Sequence, residues 1–559
     1  MSADRLSALD ASFLSVETPT AHMHVGFVAS FAAGADGRLP TFQQIRDHID
    51  RRIARAPRYR QKLASVPLGV NSPEWIDDPG FLTDRHVYWA PGPLADLVDQ
   101  VMSIPLRRDR PLWEMWICEN ATERQFAVVG KAHHCMVDGI ASVELISLLL
   151  DLTQEPATFE PEEWRAEPAP GSDELLARGV RDLLSQPLDA LQWPRRLVGA
   201  PQPSVKQTVS GALRATRALD KLLRSAPASP LNVELSPLRH LAWTQCALED
   251  LQTIKRAYGT TLNDVVLAAV AGGLRSYLLG RGDEPAALKV MVPVSVRCED
   301  DILGNRLSFV FADLPCDEPD PVGRLYEVHA SMNRCKRDGD SEGSDIVLKA
   351  AGWTPGVVQQ ALSRIFASPR AFNLTVSNIP GPAAPMYLLG CELGAVYPMV
   401  PLADQHALSV GMITVNGRAC FGLYADREAL ADVNVLAASI EEAIQELLEG
   451  TSRVLETGSL LTRARAAPAE PPDSPESTFP PSQVDEYVPA AYNGASEAAA
   501  RLEPMDVQRH ERILSERALG SHQPQAPEPG EELGFEQTES DGYELELQRL
   551  ANNGRSPTQ

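Results

Sequence analysis

Residues 125–132, Gln-Phe-Ala-Val-Val-Gly-Lys-Ala, run into His133-His134-Cys135-Met136-Val137-Asp138-Gly139, and Ile-Ala-Ser-Val-Glu-Leu-Ile-Ser-Leu-Leu-Leu follows at 140–150. The first run is short and apolar and reads as a strand; the last is longer and reads as a buried helix. Two adjacent histidines therefore stand where a strand gives way to a helix. A side chain there is held rigidly and can still face a cleft, which suits an imidazole that must come within hydrogen-bond reach of the proton it takes. Neighbours along a strand point to opposite faces, so one of the two histidines is expected to reach substrate. From residue types alone, catalytic, structural and metal-binding readings stay open. A zinc site needs further ligands at suitable spacing, and the chain has neither His-Glu-x-x-His nor Cys-x-x-Cys.

The complete pattern His-His-x-x-x-Asp-Gly resembles the signature of the acetyl-CoA-dependent acyltransferases, which include chloramphenicol acetyltransferase and the condensation domains of peptide synthetases. From about residue 5 to about 455 the chain is similar to one branch, the bacterial wax ester synthase/diacylglycerol acyltransferases. The opening Leu-Ser-Ala-Leu-Asp-Ala-Ser-Phe-Leu (6–14), with Glu-Thr-Pro-Thr-Ala-His-Met-His-Val-Gly (17–26), carries that resemblance. So do Pro111-Leu112-Trp113, Asn263-Asp264 within Thr261–Leu267, Val292–Arg297, Gly304-Asn305, and Asn373 to Pro382. Each segment is short; their order around an intact histidine motif makes the match specific.

The resemblance implies an O-acyltransferase with acyl-CoA as co-substrate and no further cofactor or metal. His134 is the implied general base, His133 a supporting motif residue, Asp138 a structural anchor and Gly139 a backbone position. Asn263 is the candidate oxyanion or positioning residue, though it could also serve as a cap. Pro111, Leu112, Trp113, Asp264 and Arg297 are candidate substrate contacts, with Arg297 also a candidate partner for Asp138. Cys135 occupies a variable position of the motif, so a nucleophilic role is not expected. Diacylglycerol is the expected acceptor, with long-chain alcohols as the alternative. Amide synthesis of the condensation type and a non-catalytic lipid-binding role are the more distant readings.

At 559 residues the chain exceeds one core. A formal charge of −24 argues against general nucleic-acid binding. It also disfavours simple electrostatic attachment to anionic lipid. The local cluster Arg51, Arg52, Arg55, Arg58 and Arg60 reads as a solvated helix face, or alternatively as a docking surface for a phosphorylated cofactor or lipid headgroup. Eight scattered cysteines suit free thiols in a reducing cytosol. No secretory signal and no membrane span stand out, so any contact with membrane or lipid droplet is expected to be peripheral and the protein cytoplasmic.

The expected fold is mixed α/β: two chloramphenicol-acetyltransferase-like subdomains, 1–165 and 236–455, joined by a helical connection at 166–235. Phe42 to Arg55 reads as an amphipathic helix on Ile45, Ile49 and Ile53, and Val265 to Leu279 as a long helix capped by Thr261 or Asn263. Asn416-Gly417 between two apolar runs signals a hairpin. Residues 464–559 are rich in Pro, Glu, Ser and Ala and lack lysine, a composition that predicts a disordered tail.

Overall fold

A computed structural model describes residues 6–34, 37–122, 124–136, 149–157, 164–181, 225–297, 305–338, 367–382 and 384–465. Asp138 and Gly139, residues 140–148 of the expected helix, most of the 166–235 connection and the tail beyond 465 lie outside the described residues, as does the side chain of Arg297.

Two six-stranded sheets form the body of the described chain. The first contains β1 (His24–Ala32), β4 (Val87–Trp89), β5 (Trp113–Thr122), β6 (Gln125–His133), β11 (Tyr387–Leu388) and β12 (Cys391–Met399), in the order β11-β12-β1-β6-β5-β4. The second contains β7 (Arg239–Ala247), β8 (Leu288–Arg297), β9 (Asn305–Leu314), β10 (Leu374–Ile379), β13 (Leu408–Val415) and β14 (Arg418–Asp426), in the order β7-β14-β13-β10-β8-β9. A small pair, β2 (Gln61–Ala64) with β3 (Glu74–Asp77), stands apart. Helices α1 (Ala8–Val16), α2 (Phe42–Ile53) and α3 (Leu94–Ser103) belong to the first half. Helices α4 (Leu248–Tyr258), α5 (Leu262–Arg281), α6 (Pro321–Asp338) and α7 (Val433–Arg465) belong to the second.

The strand leading to the histidines and the amphipathic α2 form where the sequence places them. α2 buries Ile45, Ile49 and Ile53, and a capping box of Thr41 and Gln44 starts it. The cluster of arginines is not a simple solvated face. Arg52 is buried and pairs with Asp151 at 2.7 Å, while Arg58 and Arg60 lie over the rings of Trp75 and Trp164.

The 236–455 segment also reaches into the first sheet, where its β12 pairs antiparallel with β1. The crossing requires close backbone approach: a Cβ on Gly422 of β14 would sit 2.0 Å from the Pro398 carbonyl oxygen of β12. Only glycine permits that contact. The two halves are thus stitched together through β12.

Helix α5 also revises the reading of membrane spans. It is long and apolar enough to cross a bilayer, but 72% of its apolar window is buried inside the protein. It is a core helix, hemmed in by α7, where a Cβ on Gly273 would meet Ile440 at 2.5 Å. Thr261 caps it, accepting the N–H of Asp264 at 3.2 Å while Asp264 accepts the N–H of Thr261 at 2.9 Å.

Candidate active site

β6 ends at His133, whose Cα stands opposite His24 of β1 in the ladder. The His133 N–H donates to the Leu112 carbonyl at 3.0 Å, which carries the β5–β6 pairing to the last residue of the strand. One residue on, the N–H of His134 donates to the Met23 carbonyl at 2.9 Å. Met23 adopts φ +50°, a region L side chains rarely occupy. Such a conformation costs on the order of 1–3 kcal/mol and persists only where the surroundings impose it. Here it sits beside the histidine motif.

The two histidines have different surroundings. His133 is buried. Its Nδ1 accepts the N–H of Cys135 at 3.1 Å, so its ring proton resides on Nε2. That nitrogen faces Glu17 Oε1 at 3.8 Å, and Glu17 in turn pairs with Arg108. Burial, with Arg108 adding to it, pushes His133 down to about 3. It is a neutral framework group.

His134 is half-buried, and its ring stacks on Phe13 of α1 with centroids 3.7 Å apart and planes 15° from parallel. Its Nδ1 is buried and has no hydrogen-bond partner among the described residues. Burial pushes the imidazole down to about 4, its own backbone interaction works against that, and His133 adds slightly to it. At neutral pH His134 is therefore a free base, and the buried Nδ1 leaves Nε2 to take a proton. Burial lifts the neighbouring Cys135 thiol to about 12, which removes thiolate chemistry at ordinary pH.

The remaining candidates fall in two places. Pro111, Leu112 and Trp113 are buried at the root of β5. Trp113 donates from Nε1 to the Tyr59 carbonyl at 2.8 Å and stacks on His86 at 4.7 Å. These contacts seat the three in the packing beneath the histidines. Asp264 is likewise buried, committed to the cap of α5 and to His329 Nδ1 at 2.7 Å. Asn263, half-buried, precedes it at the second position of α5. Asp138, Gly139 and the Arg297 side chain lie outside the described residues, so the anchor role and its partner are untouched by these contacts. Among the described residues no group of three or more His, Cys, Asp or Glu has a metal-holding arrangement.

Phe13, Glu17 and Arg108 escaped the reading of the sequence as site residues. Phe13 and Glu17 lie in the opening segment that carried the family resemblance, but nothing in their spacing ties them to residues over a hundred positions away.

The family model for the wax ester synthase/diacylglycerol acyltransferase catalytic domain matches residues 6–266, and that for the corresponding C-terminal domain matches 303–448. A putative diacylglycerol O-acyltransferase of Mycobacterium tuberculosis is 33% identical over 462 residues, covering 80% of this chain and 90% of its own. A probable diacylglycerol O-acyltransferase of the same organism is 30% identical over 471 residues, covering 80% and 97%. Among solved structures, the wax ester synthase/diacylglycerol acyltransferase of Marinobacter aquaeolei VT8 superposes with a TM-score of 0.59 at 25% identity, covering 80% of this chain and all of that one. A trichothecene 15-O-acetyltransferase of Fusarium sporotrichioides shares the fold at a TM-score of 0.52 and 11% identity, covering 79% and 94%.

Proposed function

The chain belongs to the wax ester synthase/diacylglycerol acyltransferase family, and we propose that it transfers a long-chain acyl group from acyl-CoA to the free hydroxyl of diacylglycerol, giving triacylglycerol and CoA. The observation that carries this reading is the neutral, half-buried imidazole of His134 at the end of β6. In the proposed reaction Nε2 of His134 takes the acceptor's hydroxyl proton as that oxygen bonds to the thioester carbonyl carbon. The carbon–sulfur bond then breaks, and the proton passes from His134 to the departing CoA sulfur. The tetrahedral intermediate carries an oxyanion that needs a preorganised donor. Asn263 is the candidate, because Thr261 already supplies the cap that Asn263 would otherwise provide.

Diacylglycerol is favoured as acceptor by the names of the mycobacterial relatives. The setting proposed is cytoplasmic, with peripheral contact at membrane or lipid droplet. The seven described cysteines are free thiols, which suits a reducing compartment. Product analysis with palmitoyl-CoA, offering diacylglycerol and hexadecanol in competition, tests the reading. Triacylglycerol as the main product is expected; a predominance of wax ester would reassign the acceptor, and acyl-CoA binding without acceptor-dependent thiol release would remove the enzymatic role.

A further inference from the structure

We propose that Phe13 is a positioning residue for the general base, setting the plane of the His134 imidazole through its ring face. The proposal rests on the reading of His134 as base and extends it to a residue outside the histidine motif.

An imidazole that acts as a base is ordinarily oriented by a group bonded to its other nitrogen. Apart from the ring's interaction with its own backbone, no group of another described residue bonds to His134 Nδ1, although that atom is buried. What holds the ring is a face: Phe13 lies nearly parallel to it at van der Waals distance. A stack of this kind fixes rotation about the ring's own bond and closes one face to water, leaving the ring edge for substrate.

Phe13 can do this only if α1 is itself held, and it is tied down at both ends. Ser7 caps the start, accepting the N–H of Asp10 at 3.1 Å, and Leu6 just before it is buried. Glu17, which follows the last helical residue, pairs with Arg108 and faces His133. The same carboxylate thus links the end of α1 to the motif the helix covers. Phe13 also packs against both of the large apolar clusters, the one around β1, β5 and β6 and the one that spans α4, α5 and α7. It sits at the seam of the two halves. The charged and titratable groups around the motif are Asp10 and Glu17 from the α1 segment, His24 from β1, Arg58 from the turn after α2, Arg108 from the loop before β5, and His133 and Cys135 of the motif itself. None of them replaces the stack as a support for the ring plane.

The test uses the full-length chain carrying Phe13→Leu, Phe13→Met or Phe13→Tyr, assayed beside His134→Ala. Phe13→Leu should lower kcat about ten- to hundred-fold, as small misplacement of a reacting group does, with KM for either substrate changed less than about two-fold. It should also move the acid limb of the rate profile upward, toward the ordinary imidazole range, because the ring face becomes hydrated. Phe13→Met should behave like Phe13→Leu, and Phe13→Tyr, which keeps the ring, should stay near wild type on both measures. A loss confined to KM would make Phe13 a wall of the substrate channel, and an unchanged rate with an unmoved acid limb would make it ordinary packing; either overturns the proposal. Imidazole titration of His134 by NMR, identified as the resonance missing in His134→Ala, separates this proposal from the one beneath it. If His134→Ala keeps most of the activity, the base assignment falls, while a His134 titration shifted by Phe13→Leu still upholds the stack. If His134→Ala is inactive and Phe13→Leu leaves the titration unmoved, the stack alone falls.

Discussion

The carbonyl of Met23 accepts the backbone N–H of His134 at 2.9 Å, and Met23 reaches it from a left-handed backbone. The position of the proposed base is therefore set through the main chain, independently of its own side chain. His134→Ala should leave the fold intact and cut turnover by about 10²–10⁴-fold, the usual worth of a general base. Retention of more than half the wild-type rate would remove His134 from the mechanism. His133→Ala should act differently: it strands the Cys135 N–H in a buried site and should appear first as lost stability, about 1–3 kcal/mol in a denaturant titration.

Two buried histidines make stability depend on pH in a defined direction. His86 is held at about 4 by burial, with its bond to the Trp113 carbonyl working against that, and His133 at about 3 by burial with Arg108 adding to it. Both lie below the ordinary value of 6.5, so the unfolded chain binds more protons than the folded one. Their contribution is complete above about pH 6.5 and is lost as pH falls toward 4 and 3, at up to about 1.4 kcal/mol per pH unit for each. Urea midpoints should drop steeply between pH 6.5 and 5, and His86→Gln should flatten the slope. His134, at about 4, predicts a rate that is level from pH 8 to 6 and falls only in acid. Rates taken in the first seconds after a pH jump would separate that limb from unfolding; an acid limb centred near 6.5 in wild type contradicts the buried environment of His134.

Beneath the same strands lies an ion pair with both side chains almost fully buried. Lys131 of β6 meets Glu114 of β5 at 3.1 Å and donates to the carbonyls of Val101 and Ile104 at 2.9 and 3.0 Å, tying the end of α3 to the sheet. Removing one partner leaves a buried charge, so Glu114→Leu should cost about 3–5 kcal/mol. The double variant Glu114→Leu with Lys131→Met should recover much of that loss. Thermal unfolding of the single and double variants checks the coupling, and an additive result would show that the pair is not linked.

What could be read along the chain was whatever local pattern specifies. The strand at 125–133, α2 with its isoleucine stripe, α5 with its threonine cap and the Asn416-Gly417 turn all declare themselves within a few residues. β12 does not: Gly394 and Pro398 interrupt its apolar run, and its pairing with β1 joins residues more than 350 positions apart. The histidine motif was visible because its residues are adjacent, whereas the Phe13 stack and the Glu17–Arg108 pair exist only after folding. The Pro111–Trp113 segment was recognisable as a motif but not as buried packing, since burial is a property of the assembled sheet.

Asn263 and Asp264 are neighbours with separable expectations. Asp264→Ala removes the carboxylate that accepts the Thr261 N–H, one half of the capping box of α5, together with the partner of His329. It should destabilise by about 1–3 kcal/mol, with a loss of activity that follows unfolding. Asn263→Ala touches neither contact. It should leave the melting temperature near wild type and lower kcat by about 10²–10³-fold if it donates to the oxyanion. An Asn263→Ala enzyme with full kcat would leave the intermediate to be stabilised by other donors.

Removal of residues 466–559 should leave acyl transfer to a soluble acceptor unchanged. The cut falls after Arg465, where α7 ends, and every residue used in the proposed chemistry lies before it. Both family models also end earlier, the second at residue 448. The removed segment is acidic and poor in apolar periodicity, so it has little with which to build a core. Rate with a soluble acceptor and association with lipid vesicles should be measured on the same truncated protein. Loss of vesicle association alone would assign the tail to location and leave the catalytic body as described. A collapse of the soluble rate would show that residues beyond 465 complete the catalytic body, and the boundary would have to move.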